Sequence, residues 1–255
     1  MDSPAHQRLK VDILLRQVQL GLVSEPPEQN LARLAEARAT LNALSPSGEM
    51  DVADQQRSGW IDLLSGRIYY YQGQHVQAIR YYRQVLVVAE ALGDARLLAV
   101  PSQFIGMALA VQGQIAKSRR MIARAVTLAD HLDSDYERLR AISMHGAVLV
   151  MAGRYREGMA LHDQALARAV ENKQPAGLGL ALIMRVSSLH CSGDYQGLLD
   201  SAQLALQHLQ KSGDQIYAAF ALSVIGWAYS YLGHPQVALS YGTSGTRLTK
   251  GREER

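Results

Sequence analysis

The sequence predicts an all-α protein built as an array of about six stacked helical pairs. Three columns of mostly small residues recur at a spacing of forty residues. The first column consists of Gly73, Gly113, Gly153, Gly193 and Gly233. The second has glycine at 66, 106, 146 and 226 with Val186 in the fourth copy, and the third has alanine at 125, 165 and 205. Columns that stay in phase over five copies indicate repeated units that bury a core by stacking on one another.

Composition and charge exclude several classes of function. The chain has 255 residues, of which 26 are basic and 23 acidic, and no dense basic block that would indicate nucleic-acid binding. The single cysteine, Cys191, cannot form an internal disulfide, which favours a reducing, cytoplasmic location. Charged residues interrupt the N-terminal twenty residues, so we expect neither a signal peptide nor a membrane helix.

The N-terminal part predicts one helical pair that is out of phase with the rest. Apolar residues at helical spacing predict helices over 8–22 and 30–44, separated by Pro26 and Pro27. Residues 45–56, which include Pro46 and Gly48, are predicted to form an exposed loop. We therefore divide the chain into residues 1–56, an N-terminal pair with its connecting loop, and residues 57–255, five further pairs that continue the same solenoid.

Each of the five pairs is predicted to contain a first helix, a tight turn at the glycine of the first column, and a second helix. The predicted pairs are 57–72 with 75–92, 97–112 with 115–132, 136–152 with 155–171, 176–192 with 195–211, and 215–232 with 235–249. Glycine just past a helix suits the left-handed conformation that ends it. Asp94, Asp135 and Asp214 stand where side chains cap helix starts, and Pro101 predicts a late start or a kink in its helix.

The repeated motif resembles the tetratricopeptide repeat. The fifth copy matches that family's pattern in order at Ile225, Gly226, Ala228, Tyr229, Gly233 and Ala238, and the first at Gly66, Tyr69, Gly73, Ala78 and Tyr82. The usual period is about 34 residues. The longer period here is similar to repeat regions of bacterial multidomain signalling ATPases, class III nucleotide cyclases and maltotriose-responsive transcription activators. The resemblance implies a right-handed superhelix whose inner groove is lined by one face of each first helix.

Transferring the family's groove positions to this chain gives a candidate partner-binding set. The set comprises Trp60, Arg67, Tyr70, Tyr71, Met107, Arg140, Met151, His190, Phe220, Trp227 and Tyr231. Aromatic residues, Met and Arg are the types enriched at protein interfaces. The alternative is that these side chains pack against neighbouring helices and have only a structural role.

No pattern in the sequence indicates catalysis, a cofactor or a metal. The eight histidines form no HExxH motif or other metal-ligand spacing. His190 and Cys191 are adjacent, but neighbouring helical residues point about 100° apart and would not form a nucleophile–base pair. We therefore expect a protein that is not an enzyme and has no catalytic residues, cofactor or metal site.

Two hypotheses of function remain open. The first is an interaction module of a bacterial signalling or regulatory protein that binds a protein or peptide segment in its groove, without nucleic acid or membrane. The alternative is a small-ligand-sensing arm of a signalling ATPase, nucleotide cyclase or transcription activator. Gly242 and Gly245 weaken the last predicted helix. We therefore expect that helix to fray, or to be covered in a homodimer formed through the C-terminal repeat.

Overall fold

A computed structural model describes residues 3–22, 24–45 and 48–250, with side chains described as far as Gly245. This part of the chain contains twelve α-helices and no strand, which confirms the predicted fold class. The helices are α1 Pro4–Gly21, α2 Pro27–Leu44, α3 Val52–Tyr71, α4 His75–Leu92, α5 Ala95–Val111, α6 Ile115–Asp130, α7 Asp135–Met151, α8 Tyr155–Glu171, α9 Pro175–Ser192, α10 Tyr195–Ser212, α11 Gln215–Tyr231 and α12 Pro235–Lys250.

The twelve helices form six antiparallel pairs that stack into a superhelix. Each odd-numbered helix packs against the even-numbered helix that follows it, and each even-numbered helix packs against the next odd one. Successive odd-numbered helices also contact one another, whereas successive even-numbered helices do not pack together within the described residues. In a curved stack the layer whose members touch lies on the inside, so the odd-numbered helices form the inner surface.

The turns within the five later pairs are at the predicted glycines. Gly73, Gly113, Gly153, Gly193 and Gly233 all have a positive φ, between 75° and 85°. This left-handed conformation is strained for residues that carry a Cβ atom. The prediction that these five residues lie at helix–helix turns is therefore confirmed.

The second glycine column allows the two helices of a pair to approach closely. A Cβ atom added to Gly66 would lie 2.6 Å from the ring of Tyr82, and one added to Gly146 would lie 2.6 Å from the ring of His162. Each large partner stands sixteen residues after its glycine. The fourth copy exchanges the two sizes, with Val186 at the glycine position and Ala202 sixteen residues later, both buried in one core cluster.

The N-terminal pair is joined to the rest by a shorter connection than predicted. Helix α3 begins at Val52 rather than at residue 57, so the expectation of an exposed loop is wrong for residues 52–56. The cause is Asp54, a fully buried side chain that pairs with Arg8 of α1 and with Arg57 of α3. The ion pair with Arg8 attaches the first turn of α3 to α1.

The expected late start of the fifth helix is also wrong. Helix α5 begins at Ala95 and continues through the buried Pro101, and Asp94 caps it by accepting hydrogen bonds from the backbone N–H groups of Arg96 and Leu97. Helix α7 is capped by Ser134 rather than by Asp135. Among the described residues no helix combines the length and apolar character needed to cross a membrane.

Candidate partner-binding surface

Aromatic and arginine side chains from three odd-numbered helices meet on the inner side of the superhelix around Phe104. The guanidinium carbons of Arg67 and Arg140 lie 5.7 and 5.0 Å from the centre of the Phe104 ring. The rings of Tyr70 and Tyr71 contact the same ring edge-on, with centroid distances of 5.0 and 6.1 Å. We call this group the inner cluster; it comprises Arg67, Tyr70, Tyr71, Phe104, Tyr136 and Arg140.

Arg140 differs from its predicted role because it is buried, with only 3% of its surface exposed. Its Nε atom donates a hydrogen bond to Oε1 of Gln103 at 2.7 Å, and its Nη2 atom forms an ion pair with Glu137. Gln103 is itself fully buried, and its side-chain amide reaches the backbone carbonyl of Glu137 at 3.5 Å. The guanidinium is therefore already paired inside the protein and is not available to fix a partner.

Arg67 and Arg96 are not paired in this way. Arg67 donates one long hydrogen bond, 3.3 Å, to the hydroxyl of Tyr71, and it forms no ion pair in the described part of the chain. Arg96 lies over the indole ring of Trp60 at 5.2 Å, and it also lacks an ion pair there. Trp60, Arg67 and Arg96 line a cavity of about 160 Å³. Its other lining residues are Gln19, Leu63, Leu64, Val100 and Glu137. A carboxylate that entered this cavity would meet two positive charges next to an aromatic wall.

The first turn of α11 lies within the electrostatic reach of the inner cluster. Burial raises the pKa of the Asp214 carboxyl, although the positive charges of Arg67 and Arg140 act in the opposite direction. Burial likewise raises the pKa values of the Tyr136 and Tyr217 hydroxyls above their ordinary value. Both phenols are therefore neutral at physiological pH, and the positive charges of Arg67 and Arg140 partly offset the effect of burial on the Asp214 carboxyl.

The C-terminal half of the inner surface exposes aromatic side chains instead of burying them. Phe220, Trp227 and Tyr231 of α11 are 39%, 51% and 52% exposed. Phe220 and Trp227 contact edge to face at 6.1 Å, and Tyr231 stacks on Tyr195 at 4.5 Å. The Nε2 atom of His190 lies 3.0 Å from the Tyr231 hydroxyl, within hydrogen-bonding distance. We call Phe220, Trp227, Tyr231, Tyr195 and His190 the aromatic face.

The predicted site residues thus separate into two groups. Five of them meet in or beside the inner cluster: Trp60, Arg67, Tyr70, Tyr71 and Arg140. Four belong to the aromatic face: His190, Phe220, Trp227 and Tyr231. Met107 packs partly buried on the core, and Met151 is 44% exposed at the end of α7; no described side-chain contact brings either into one of the two groups.

Sequence reasoning missed Arg96, Tyr136 and Phe104. Arg96 and Tyr136 are forty residues apart, and each stands four residues before the position equivalent to Trp60 in its own copy, which is Val100 or Arg140. Residues four apart share a helix face. The odd-numbered helices α3 to α11 are 17 to 20 residues long, so the inward face extends one turn further than the shorter family pattern implies. The forty-residue spacing between Arg96 and Tyr136 was the signal that could have identified these two residues.

Comparison with known proteins supports the repeat architecture. A tetratricopeptide repeat family profile matches residues 63–96. A Rap protein complexed with competence and sporulation factor superposes with a TM-score of 0.62 at 14% identity, over 98% of this chain and 67% of that one. The fold is a tetratricopeptide-like solenoid. A search among curated proteins found no match to this sequence.

Two other solved structures extend this likeness. One is a STAND signal-transduction ATPase with a tetratricopeptide repeat sensor from Pyrococcus horikoshii, with a TM-score of 0.60 at 12% identity. The match covers 96% of this chain and 36% of that one. The other is aspartyl phosphate phosphatase F from Bacillus subtilis, with a TM-score of 0.58 at 13% identity, over 100% of this chain and 77% of that one. At these identities the likeness concerns the fold.

Proposed function

We propose that this protein is an interaction module that binds a segment of a partner protein on the inner surface formed by its odd-numbered helices. The observation that carries the proposal is the aromatic face, because Phe220, Trp227 and Tyr231 expose large apolar areas on one helix. Exposed clusters of this kind indicate interaction sites in soluble proteins, and tryptophan and tyrosine supply a large part of the binding energy at interfaces.

In this proposal the segment is held by burial of its apolar side chains against the aromatic face. The inner cluster is a rigid wall, because its side chains are packed around Phe104. Arg67 and Arg96 give the segment one polar anchor, which favours a carboxylate over a neutral group. A Rap protein of the same fold is described as complexed with a factor, and the archaeal ATPase carries its repeats as a sensor. We infer a comparable regulatory role here, in a bacterial cytoplasmic protein.

Selection of peptides followed by variant binding tests this proposal. Peptides selected from a random phage-displayed library on the immobilised chain are synthesised with a fluorescent label, and their affinities are measured by anisotropy. We expect Trp227→Ala and Phe220→Ala each to weaken binding about tenfold or more, as for central aromatic residues of an interface.

The control is Tyr155→Ala, because Tyr155 is 53% exposed on the even-numbered helix α8 and thus matches Tyr231 in exposure. This variant is expected to bind with unchanged affinity. Peptides that bind Trp227→Ala and Phe220→Ala as tightly as the unmodified chain, or that lose as much affinity with Tyr155→Ala, contradict binding at the aromatic face.

A second candidate function is the sensing of a small anionic ligand in the cavity lined by Trp60, Arg67 and Arg96. Two arginines without carboxylate partners beside an indole favour it. The volume of about 160 Å³ is smaller than typical drug-sized sites, so the ligand would be about the size of one carboxylate-bearing side chain. Free glutamate and inorganic phosphate are the probes. Either probe should raise the Tm of the unmodified chain and of the control variant Arg119→Gln, but not the Tm of Arg96→Gln. If neither probe raises the Tm of the unmodified chain, this candidate function is contradicted.

A further inference from the structure

A second concave feature lies on the outer side of the superhelix, between α4 and α6. These two helices both pack on α5 but not on each other. The gap between them is a groove of about 750 Å³, far larger than the cavity on the inner surface. Apolar side chains from all three helices line it: Ile79 of α4, Ile105 and Leu109 of α5, and Met121 of α6. Val76, at the edge of the groove, is 78% exposed.

Basic side chains stand on both sides of this groove. Arg80 and Arg83 line it from α4, and Lys117, Arg120 and Arg124 line it from α6. No Asp or Glu is among its twelve lining residues. The five positive charges exceed the net charge of the whole chain, which is +3. Of these five residues only Arg124 takes part in an ion pair within the described part of the chain, with Glu90 at 2.8 Å, so the other four have no carboxylate partner there.

The repeat explains why the sequence shows no basic block here. Arg80 and Arg120 are forty residues apart and occupy equivalent positions on successive even-numbered helices. Stacking of the repeats brings them to the two sides of one groove. The equivalent positions in the next two copies are Ala160 and Asp200, so the basic character ends after α6.

We propose that the α4–α6 groove docks an acidic amphipathic helix of a partner protein. An apolar floor between two basic edges is complementary to a helix that carries an apolar stripe flanked by carboxylates. None of the lining residues is aromatic, so the groove lacks the stacking surfaces with which proteins hold single-stranded nucleic acid. This site is separate from the inner surface, and it stands or falls independently of the function proposed above.

The test uses a designed peptide, a groove variant with two charge reversals and a control variant with one charge reversal outside the groove. The probe is a labelled helical peptide with leucine at i, i+3, i+4 and i+7 and glutamate at the flanking positions. Arg83→Glu/Arg120→Glu places both reversals in the groove, on exposed residues, so folding is expected to be retained and is checked by circular dichroism. The control is Arg119→Glu: Arg119 is exposed and adjacent in sequence to Arg120, but its charge acts on His145 of α7 and Glu157 of α8.

We expect the acidic peptide to bind the unmodified chain and Arg119→Glu alike, and the groove double variant about tenfold or more weaker. A photo-reactive group on the leucine stripe should crosslink to α4, α5 or α6, the three helices that line the groove. A peptide in which lysine replaces glutamate should not bind. The proposal would be overturned if the acidic peptide did not bind, if Arg119→Glu lost as much affinity as the groove double variant, or if crosslinks were confined to other helices. It would also be overturned by an oligonucleotide that displaces the peptide and binds more tightly through the same arginines.

Discussion

Individual residues of the core act as small–large pairs across each helical hairpin. Gly66 faces Tyr82, Gly106 faces Ile122 and Gly146 faces His162, and in each case a Cβ atom on the glycine would come within 3.1 Å of the partner side chain. Val186 in the fourth copy looks like a departure from the pattern in the sequence. The departure is compensated by Ala202, because the combined size at the two positions, not either residue alone, determines how closely the helices can approach.

Substitution of Gly66 tests this pairing. Gly66→Ala places a methyl group 2.6 Å from the Tyr82 ring, so we expect it to lower the free energy of unfolding by about 2 kcal/mol. The double variant Gly66→Ala/Tyr82→Leu should be more stable than the sum of the two single effects predicts, by about 1 kcal/mol. Urea denaturation measures all four proteins. Strictly additive effects would show that the two positions do not share one space.

His162 gives the core a pH dependence. Its Nε2–H donates to the Ser143 carbonyl at 3.1 Å, which leaves Nδ1 to accept from the Ser188 hydroxyl at 2.9 Å. Burial lowers the pKa of His162 from 6.5 to about 4, although the hydrogen bond to the Ser143 carbonyl acts in the opposite direction. His162 takes up a proton near pH 6.5 in the unfolded chain but only near pH 4 in the folded chain. The contribution of His162 to stability is therefore complete above pH 6.5 and decreases as the pH falls toward 4.

The loss of stability over that interval is expected to reach about 3 kcal/mol, because a tenfold change in proton affinity corresponds to about 1.36 kcal/mol. The comparison variant is His162→Ile, because isoleucine stands at the equivalent position 122. Urea denaturation between pH 4 and pH 7 should show a shallower pH dependence for this variant. Identical pH dependences in the two proteins would mean that other groups cause the loss of stability.

Among the helices, α12 carries two glycines that the sequence alone does not distinguish. A Cβ atom on Gly245 would lie 3.0 Å from the Ser223 hydroxyl oxygen and 3.1 Å from the Ala219 carbonyl oxygen. Gly245 is buried and permits close approach of α12 to α11. Leu239 is 73% exposed on the same helix, and a homodimer formed through this repeat stays a prediction.

The two glycines of α12 should therefore respond in opposite ways to alanine. Among the described atoms outside the backbone of α12 itself, none lies within 4 Å of a Cβ atom on Gly242, so Gly242→Ala is expected to stabilise the helix by about 1 kcal/mol through helix propensity. Gly245→Ala gains the same propensity but pushes against the α11 backbone, so we expect no gain or a loss. Hydrogen exchange of residues 235–245 reports both effects, and equal gains in protection would contradict the close approach.

The attachment of α1 to α3 depends on Asp54. Arg8 donates a hydrogen bond to the Asp54 carboxylate at 2.7 Å, and Arg57 donates one at 3.0 Å. These hydrogen bonds hold the pKa of Asp54 below its ordinary value, and the bond from Arg8 has the largest effect. Asp54→Asn removes the charge and should cost about 2 kcal/mol in urea denaturation. Asp51→Asn is the control, since Asp51 is more than half exposed and asparagine still caps α3; its expected cost is below about 1 kcal/mol. Equal costs would show that burial of Asp54 is unimportant.

For the whole molecule, the sequence predicted the architecture better than the surfaces. The five in-phase pairs and their turns follow from glycine spacing, because a turn that needs a positive φ leaves a direct trace in the sequence. Arg140 was predicted on an open groove and is buried, because Gln103 and Glu137, one of them on another helix, satisfy its guanidinium. The α4–α6 groove was missed for a related reason: its charges come from two repeats, and only stacking brings them together.

The central claim, that a partner segment binds the inner surface, is tested most directly by the fluorescence of Trp227. Trp60→Phe leaves Trp227 as the single tryptophan, 51% exposed on the aromatic face. Titration with a peptide selected on the chain should shift its emission to shorter wavelength and reduce quenching by acrylamide, with the Kd measured by anisotropy. A peptide that binds with that Kd while the emission and the quenching of Trp227 stay unchanged would contradict the account.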